Sequence, residues 1–236
     1  MTRRSTPSPH GDPDVARLGA VLADPSRVAM LDTLLDGDAH AIGALARKVG
    51  ITPATASGHL RRLLDERLVT VTRKGRENRV RLASPAVAHL LEAMARLAAP
   101  APTHTTMAGM RARELRFART CYDHLAGVLG VRVTQALIDL GWMRAHDGTF
   151  APKPALFRWL AEHGSPFVDD PRVRRPLTRA CIDWSERTPH LAGRMGAAIA
   201  ELFVAQKWVV RVRDTRTLRV TDRGRDVLAD QLAIRL

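Results

Sequence analysis

At 236 residues and 45% apolar content, the chain has room for one large domain or two ordinary ones with a substantial core. Charged residues interrupt every apolar run before the roughly 18 residues that a membrane span requires, and the twin arginine at Arg3-Arg4 leads into Pro- and Ser-rich sequence where an export signal would be apolar. Two cysteines are too few for a disulfide framework and set the expectation of a cytoplasmic protein, while 37 Lys+Arg against 24 Asp+Glu, a net +13, favour polyanionic partners.

Residues 1–13 are polar, Pro-rich and without period, and are expected to form a disordered tail. A helix follows, with Val15, Leu18, Val21 and Leu22 on one face. Asp24-Pro25-Ser26 closes it and caps a second helix bearing Val28, Leu31, Leu34 and Leu35. After an Asp36-Gly37-Asp38 turn, Ile42, Leu45, Ala46 and Val49 mark a short helix that ends at Gly50, suited to a left-handed cap. Thr52 is a good N-cap and Pro53 a good first residue for the next helix, whose buried stripe is Ala56, Leu60, Leu63 and Leu64. Two strand-like runs, 69–72 and 79–82, flank the basic connection 73–78, a wing behind a helix-turn-helix. A last helix runs from Pro85 to Ala98.

A helix that reads DNA needs small or polar residues at its N-terminal end, so that its backbone can enter the major groove and side chains can meet base edges. Thr52, Ala54, Thr55, Ser57, Gly58, His59, Arg61 and Arg62 fit that need. Between residues 61 and 81 there are eight basic and three acidic residues, so the excess charge is concentrated where phosphates would lie. The DNA-contact candidates are Arg27, Thr52, Thr55, Ser57, His59, Arg61, Arg62, Arg73, Lys74, Arg76 and Arg79.

The string Leu22-Ala-Asp-Pro-Ser-Arg-Val-Ala-Met-Leu31, then Ser57-Gly-His-Leu-Arg-Arg-Leu-Leu64, then Leu68-Val69 and Arg73-Lys-Gly-Arg76, resembles the winged helix-turn-helix of ArsR-type transcriptional regulators over residues 14–98. The resemblance implies a homodimer on double-stranded DNA, commonly built from the first and last helices of the unit. Metal sensors of that family carry ligands that are missing here: the stretch Ala39–Gly43 has no cysteine, and the last helix has no matching second pair. His40 and His89 therefore read as lone surface or packing residues.

The break at 99–106 and a connecting helix take the chain to residue 118. Beyond it, Arg119-Thr-Cys-Tyr-Asp-His-Leu-Ala-Gly127 is echoed by Arg179-Ala-Cys-Ile-Asp183 and His190-Leu-Ala-Gly193, with Gly130 matching Gly196 and Trp142 matching Trp208. The C-terminal region 119–236 thus reads as two repeats, 119–163 and 179–236, each a degenerate winged helix. The fold class expected is mainly α with small β-hairpin wings: an N-terminal winged helix-turn-helix followed by this pair. If the repeats pack about a pseudo-dyad, Cys121, His124, Cys181 and His190 converge, with Asp123, Asp183 and Glu186 nearby. Two thiolates and two imidazoles suit a zinc-like ion, and Arg119 and Arg179 could favour thiolate for redox sensing. Against both stands plain packing, with the cysteines as small hydrophobes and the Asp and His as helix caps.

The leading functional expectation is a dimeric repressor whose C-terminal half receives a small-molecule, metal or redox signal, with no cofactor assigned and no membrane partner. The rivals are an architectural nucleic-acid-binding protein without sequence preference and a cysteine-dependent enzyme. The enzyme reading lacks a nucleophile elbow or phosphate loop.

Overall fold

The computed structural model describes residues 12–75, 77–99 and 106–236. Most of the tail expected over 1–13, Arg76, most of the break after Ala99 and the side chain of Lys74 lie outside the described residues. The protein is mainly helical, with small antiparallel sheets. It divides into two compact units, Met1–Val87 and Ala88–Leu236. The division falls within the helix at Pro85–Leu97, so most of this helix groups with the second unit, whereas the sequence reading closed the first domain at residue 98.

In the first unit, α1 (Val15–Leu22) and α2 (Pro25–Thr33) are capped by Asp14 and Asp24, whose carboxylates accept the N–H of Arg17 and Arg27. A 3₁₀ turn at Leu34–Asp36 leads to β1 (His40–Ala41) and α3 (Ile42–Val49). Gly50, at φ +76°, closes α3 by donating to Ala46 and Arg47 carbonyls. Thr52 then caps α4 (Pro53–Asp65), its hydroxyl accepting the Thr55 N–H at 3.1 Å. The wing, β2 (Val69–Lys74) and β3 (Glu77–Leu82), is longer than expected: its ladder continues to Lys74 opposite Glu77, which shortens the predicted six-residue connection to two. β1 adds a third strand along β3. Leu31, Leu45, Ala56, Leu63 and Val80 are fully buried and tie helices to sheet.

The second unit contains α5 (Pro85–Leu97) from Ala88 onward and α6 (Thr106–Phe117). A hairpin of β4 (Arg119–Cys121) and β5 (His124–Ala126), then α7 (Gly127–Asp139), a hairpin of β6 (Met143–His146) and β7 (Thr149–Pro152), and α8 (Pro154–Glu162) follow. The same order recurs in the hairpin of β8 (Arg179–Ile182) and β9 (Pro189–Ala192), α9 (Gly193–Ala205), the hairpin of β10 (Val209–Arg211) and β11 (Leu218–Val220), and α10 (Asp222–Leu232).

The packing is crossed. α7 lies on β9 and α9 lies on β5, with the Leu191 N–H donating to the Thr134 hydroxyl at 2.8 Å. Each helix also seats tightly on its own hairpin: a Cβ at Gly130 would come 2.4 Å from the Leu125 carbonyl oxygen, and one at Gly196 2.4 Å from that of Leu191. This close approach explains a glycine at both positions. Trp159 and Trp208 sit in one apolar core with Leu129, Leu137, Met195 and Phe203 and anchor it, their ring centroids 5.8 Å apart. Among the described residues, no helix is long and apolar enough to cross a membrane.

Candidate DNA interface and a buried cysteine–histidine cluster

The first unit exposes one arc of α4. Ala56 and Leu63 are buried, whereas Thr52, Ala54, Thr55, Ser57, Gly58, Arg61 and Arg62 are exposed. Ser57 donates its hydroxyl to the Pro53 carbonyl at 2.9 Å, which leaves the oxygen free to accept. Arg73 is exposed and donates to Gly75 O at 3.2 Å, a bond easily exchanged for a phosphate. Arg79 is half-buried, donating to the Ala39 carbonyl and to Glu77.

Two candidates sit differently from expectation. Arg27 is only 4% exposed. Its guanidinium donates to the Val21 and Ala20 carbonyls and pairs with Asp24 at 3.4 Å, so it fastens the end of α1 to α2 and is removed from the DNA-contact set. The physical reason is that the carboxyl end of α1 offers unpaired carbonyls to a cation one turn into α2. His59 is half-buried beside Asp24 (3.9 Å) and Arg27 (3.5 Å), at the edge of the reading arc.

In the second unit the two cysteines and two histidines come together, all four buried, with one ligand atom from each within 4.8 Å of the others. The strands explain this. Cys121 faces His124 across β4–β5, and Cys181 faces His190 across β8–β9. Two hairpins therefore each present one sulfur and one imidazole, and none of these residues caps a helix. The sulfurs are 3.9 Å apart and the two Nε2 atoms 3.2 Å apart. Both cysteines are free.

Behind each imidazole stands a carboxylate. Asp123 Oδ1 lies 3.4 Å from His124 Nδ1, and Asp183 Oδ2 lies 3.6 Å from His190 Nδ1. Asp183 is fully buried and bonded to Arg119 through both oxygens at 2.9 Å, to the Gly127 N–H at 2.7 Å, and to Ser185 and Glu186. Asp123 is held by the guanidinium of Arg175, which also donates to the Gly193 carbonyl. Arg119 therefore serves Asp183 rather than a thiolate, and Arg179 is exposed.

Burial works to raise both carboxyl pKa values, but the arginines and hydrogen bonds outweigh it and keep Asp123 and Asp183 below the usual carboxylate range. The two thiols are shifted in opposite directions. The hydrogen bond from Cys121 pulls the Cys181 thiol well down, against burial and with help from His124, His190 and His89, while the same bond and burial push Cys121 up. His89, read from sequence as a lone surface or packing residue, is a neighbour of Cys181 in the structure. Buried Glu92, paired with Arg216 at 3.0 Å, adds negative potential at Cys121. Only their spacing on α5, three residues apart and so on one helix face, could have signalled these two neighbours.

Residues 22–72 match the helix-turn-helix domain family. The chain is 34% identical over 225 residues to the uncharacterized HTH-type transcriptional regulator YdfF of Bacillus subtilis (strain 168), covering 95% of this chain and 100% of the relative. It is 42% identical over 83 residues to the HTH-type transcriptional regulator CmtR of Mycobacterium tuberculosis (strain ATCC 25618 / H37Rv), covering 35% of this chain and 67% of CmtR. Among solved structures, NolR from Sinorhizobium fredii is similar at 29% identity and a TM-score of 0.36, over 42% of this chain and 100% of that one.

Proposed function

Because the chain belongs to the HTH-type transcriptional regulators, in their ArsR-like winged form, we propose that it acts as a homodimeric repressor that reads a two-fold operator and yields to a signal received in its second unit. The observation that carries this reading is the exposed arc of α4, small at its centre and polar or basic around it, opposite the buried Ala56 and Leu63. Thr52, Thr55 and Ser57 would meet base edges, His59 would reach from the rim, and Arg61, Arg62, Arg73, Lys74, Arg76 and Arg79 would meet phosphates. Dimerisation is supported by Val15, 72% exposed on α1, and by Met94 and Leu97, 37% and 90% exposed on α5. Two such heads would contact half-sites about one helical turn, roughly 34 Å, apart.

The second unit reads as a tandem pair, supported by the repeated element order and by the recurring Cys, Asp, His and glycine positions. Each copy has a single helix ahead of its later hairpin, where a winged helix has two or more, so hairpin–helix–hairpin–helix describes it better than degenerate winged helix. No residue is assigned a catalytic role. Footprinting on DNA upstream of the protein's own gene tests the reading. A bounded, symmetric protected site is the expected result; continuous coating would replace it with the architectural reading, and no protection would overturn it.

A further inference from the structure

We propose that Cys121, His124, Cys181 and His190 form a tetrahedral site for a divalent ion of the zinc class, clasping the β4–β5 hairpin to the β8–β9 hairpin. The inference is independent of the DNA reading, since every residue in it belongs to the second unit.

Three observations carry it. The first is size. With metal–sulfur bonds of about 2.3 Å and metal–nitrogen bonds of about 2.0 Å, tetrahedral edges come to about 3.8 Å between sulfurs and about 3.3 Å between nitrogens. The structure has 3.9 Å and 3.2 Å. The widest separation allowed within the cluster, 4.8 Å, exceeds a mixed edge by about an ångström, which closure onto the ion removes.

The second is convergence. The Nε2 atoms of His124 and His190 face each other across 3.2 Å, beside two sulfurs, in a fully buried space. A proton satisfies one N···N contact; one metal ion satisfies all four atoms. Asp123 Oδ1, 3.4 Å from His124 Nδ1, stands where the outer support of a metal-binding histidine does, while Asp183 lies 3.6 Å from His190 Nδ1, a little beyond hydrogen-bond reach.

The third is charge. Bound as thiolates, with any thiol proton released to solvent, the two cysteines balance a doubly charged ion, so the buried centre they form with neutral imidazoles carries no net charge. Two sulfurs with two imidazoles select zinc or a similar ion over magnesium or calcium, which take oxygen ligands. Four protein ligands leave no open position, which suits a clasp rather than a catalyst.

The test uses the full chain, reduced and purified without added metal, then dialysed against zinc. Elemental analysis should find one zinc per chain. Substitution by cobalt should give the intense visible bands of a tetrahedral thiolate site, and Cys181→Ser should abolish them. Asp123→Asn, which removes the carboxylate behind His124 along with its ion pair to Arg175, should weaken zinc binding about 10- to 100-fold, more than Arg175→Gln, which loosens the ion pair but keeps the carboxylate. Absence of both stoichiometric zinc and the cobalt bands from the unaltered protein overturns the proposal, whether or not the variants fold. Operator footprinting on the same preparation keeps the two readings apart: protection without metal uptake removes only the site, and metal uptake without protection removes only the DNA reading.

Discussion

Replacing Gly58 by alanine separates the needs of the free protein from those of the DNA complex. Gly58 lies inside α4, about 140° around the helix from Leu63, and so at the middle of the exposed arc. A Cβ built there meets no atom within 4 Å, and its backbone is not in the left-handed region. Nothing in the folded chain resists the extra methyl group, so helix propensity decides the sign: alanine is favoured over glycine in a helix interior by about 0.5–1 kcal/mol. In a chain of this length that raises Tm by roughly 1–4 °C, provided the first unit melts with the rest. On the operator the sign reverses. A methyl group at the centre of the arc holds the helix backbone off the base edges, and losing one good contact costs about 1–3 kcal/mol, a loss of affinity of about 5- to 150-fold. Thermal denaturation and titration of labelled operator measure the two effects on one preparation. Higher stability with unchanged operator affinity would show that this arc does not enter the groove.

Arg62→Ala should weaken binding to operator and random DNA alike and reduce the salt slope by about one unit, in filter binding across a salt series. Ser57→Ala should cost about 1–3 kcal/mol on the operator with little change on random DNA, and competition titration would expose a uniform loss instead. Asp183→Asn leaves fully buried Arg119 without its charge partner; a loss of about 3–5 kcal/mol is expected in urea denaturation, and less than about 1 kcal/mol would show the pair to be energetically idle. Val15→Asp should shift light scattering from dimer toward monomer and weaken operator binding, and a persistent dimer would place the interface elsewhere.

The helix-turn-helix was legible in the sequence because its signals are local. The Thr52 cap, Pro53 and Gly50 each act within a turn of where they stand, and the stripe through Ala56 and Leu63 has a clear period. β4, β5 and β1 were not legible as strands, because runs of two or three residues are too short to show alternation. Convergence of Cys121, His124, Cys181 and His190 could be anticipated only because the motif occurs twice, and repetition implies a pseudo-symmetric partner. The crossed pairing of Arg119 with Asp183, and the role of Arg27 as a fastener between α1 and α2, depend on where carbonyls and carboxylates fall after packing. Neighbouring sequence carries no trace of that. The wing was placed correctly but drawn too short, since Arg73, Lys74 and Glu77 lack the apolar side chains that mark a strand.

The crossed packing of the second unit bears on what a protease cut would do. Arg119 lies buried against a carboxylate 64 residues away, Gly127 donates to that same carboxylate, and Thr134 accepts from Leu191. The first hairpin–helix set cannot satisfy its own buried groups, and the second depends on it in turn. Residues 106–163 expressed alone should stay unfolded, as should residues 175–236. Produced together as separate chains, they should assemble into a stoichiometric complex, and a nick within the largely exposed connection at 169–174 should leave the fragments bound to each other until denaturant separates them. Half of the unit is therefore not a smaller version of the whole but one strand of a knotless clasp, and its folding is in effect a binding reaction carried out within one polypeptide.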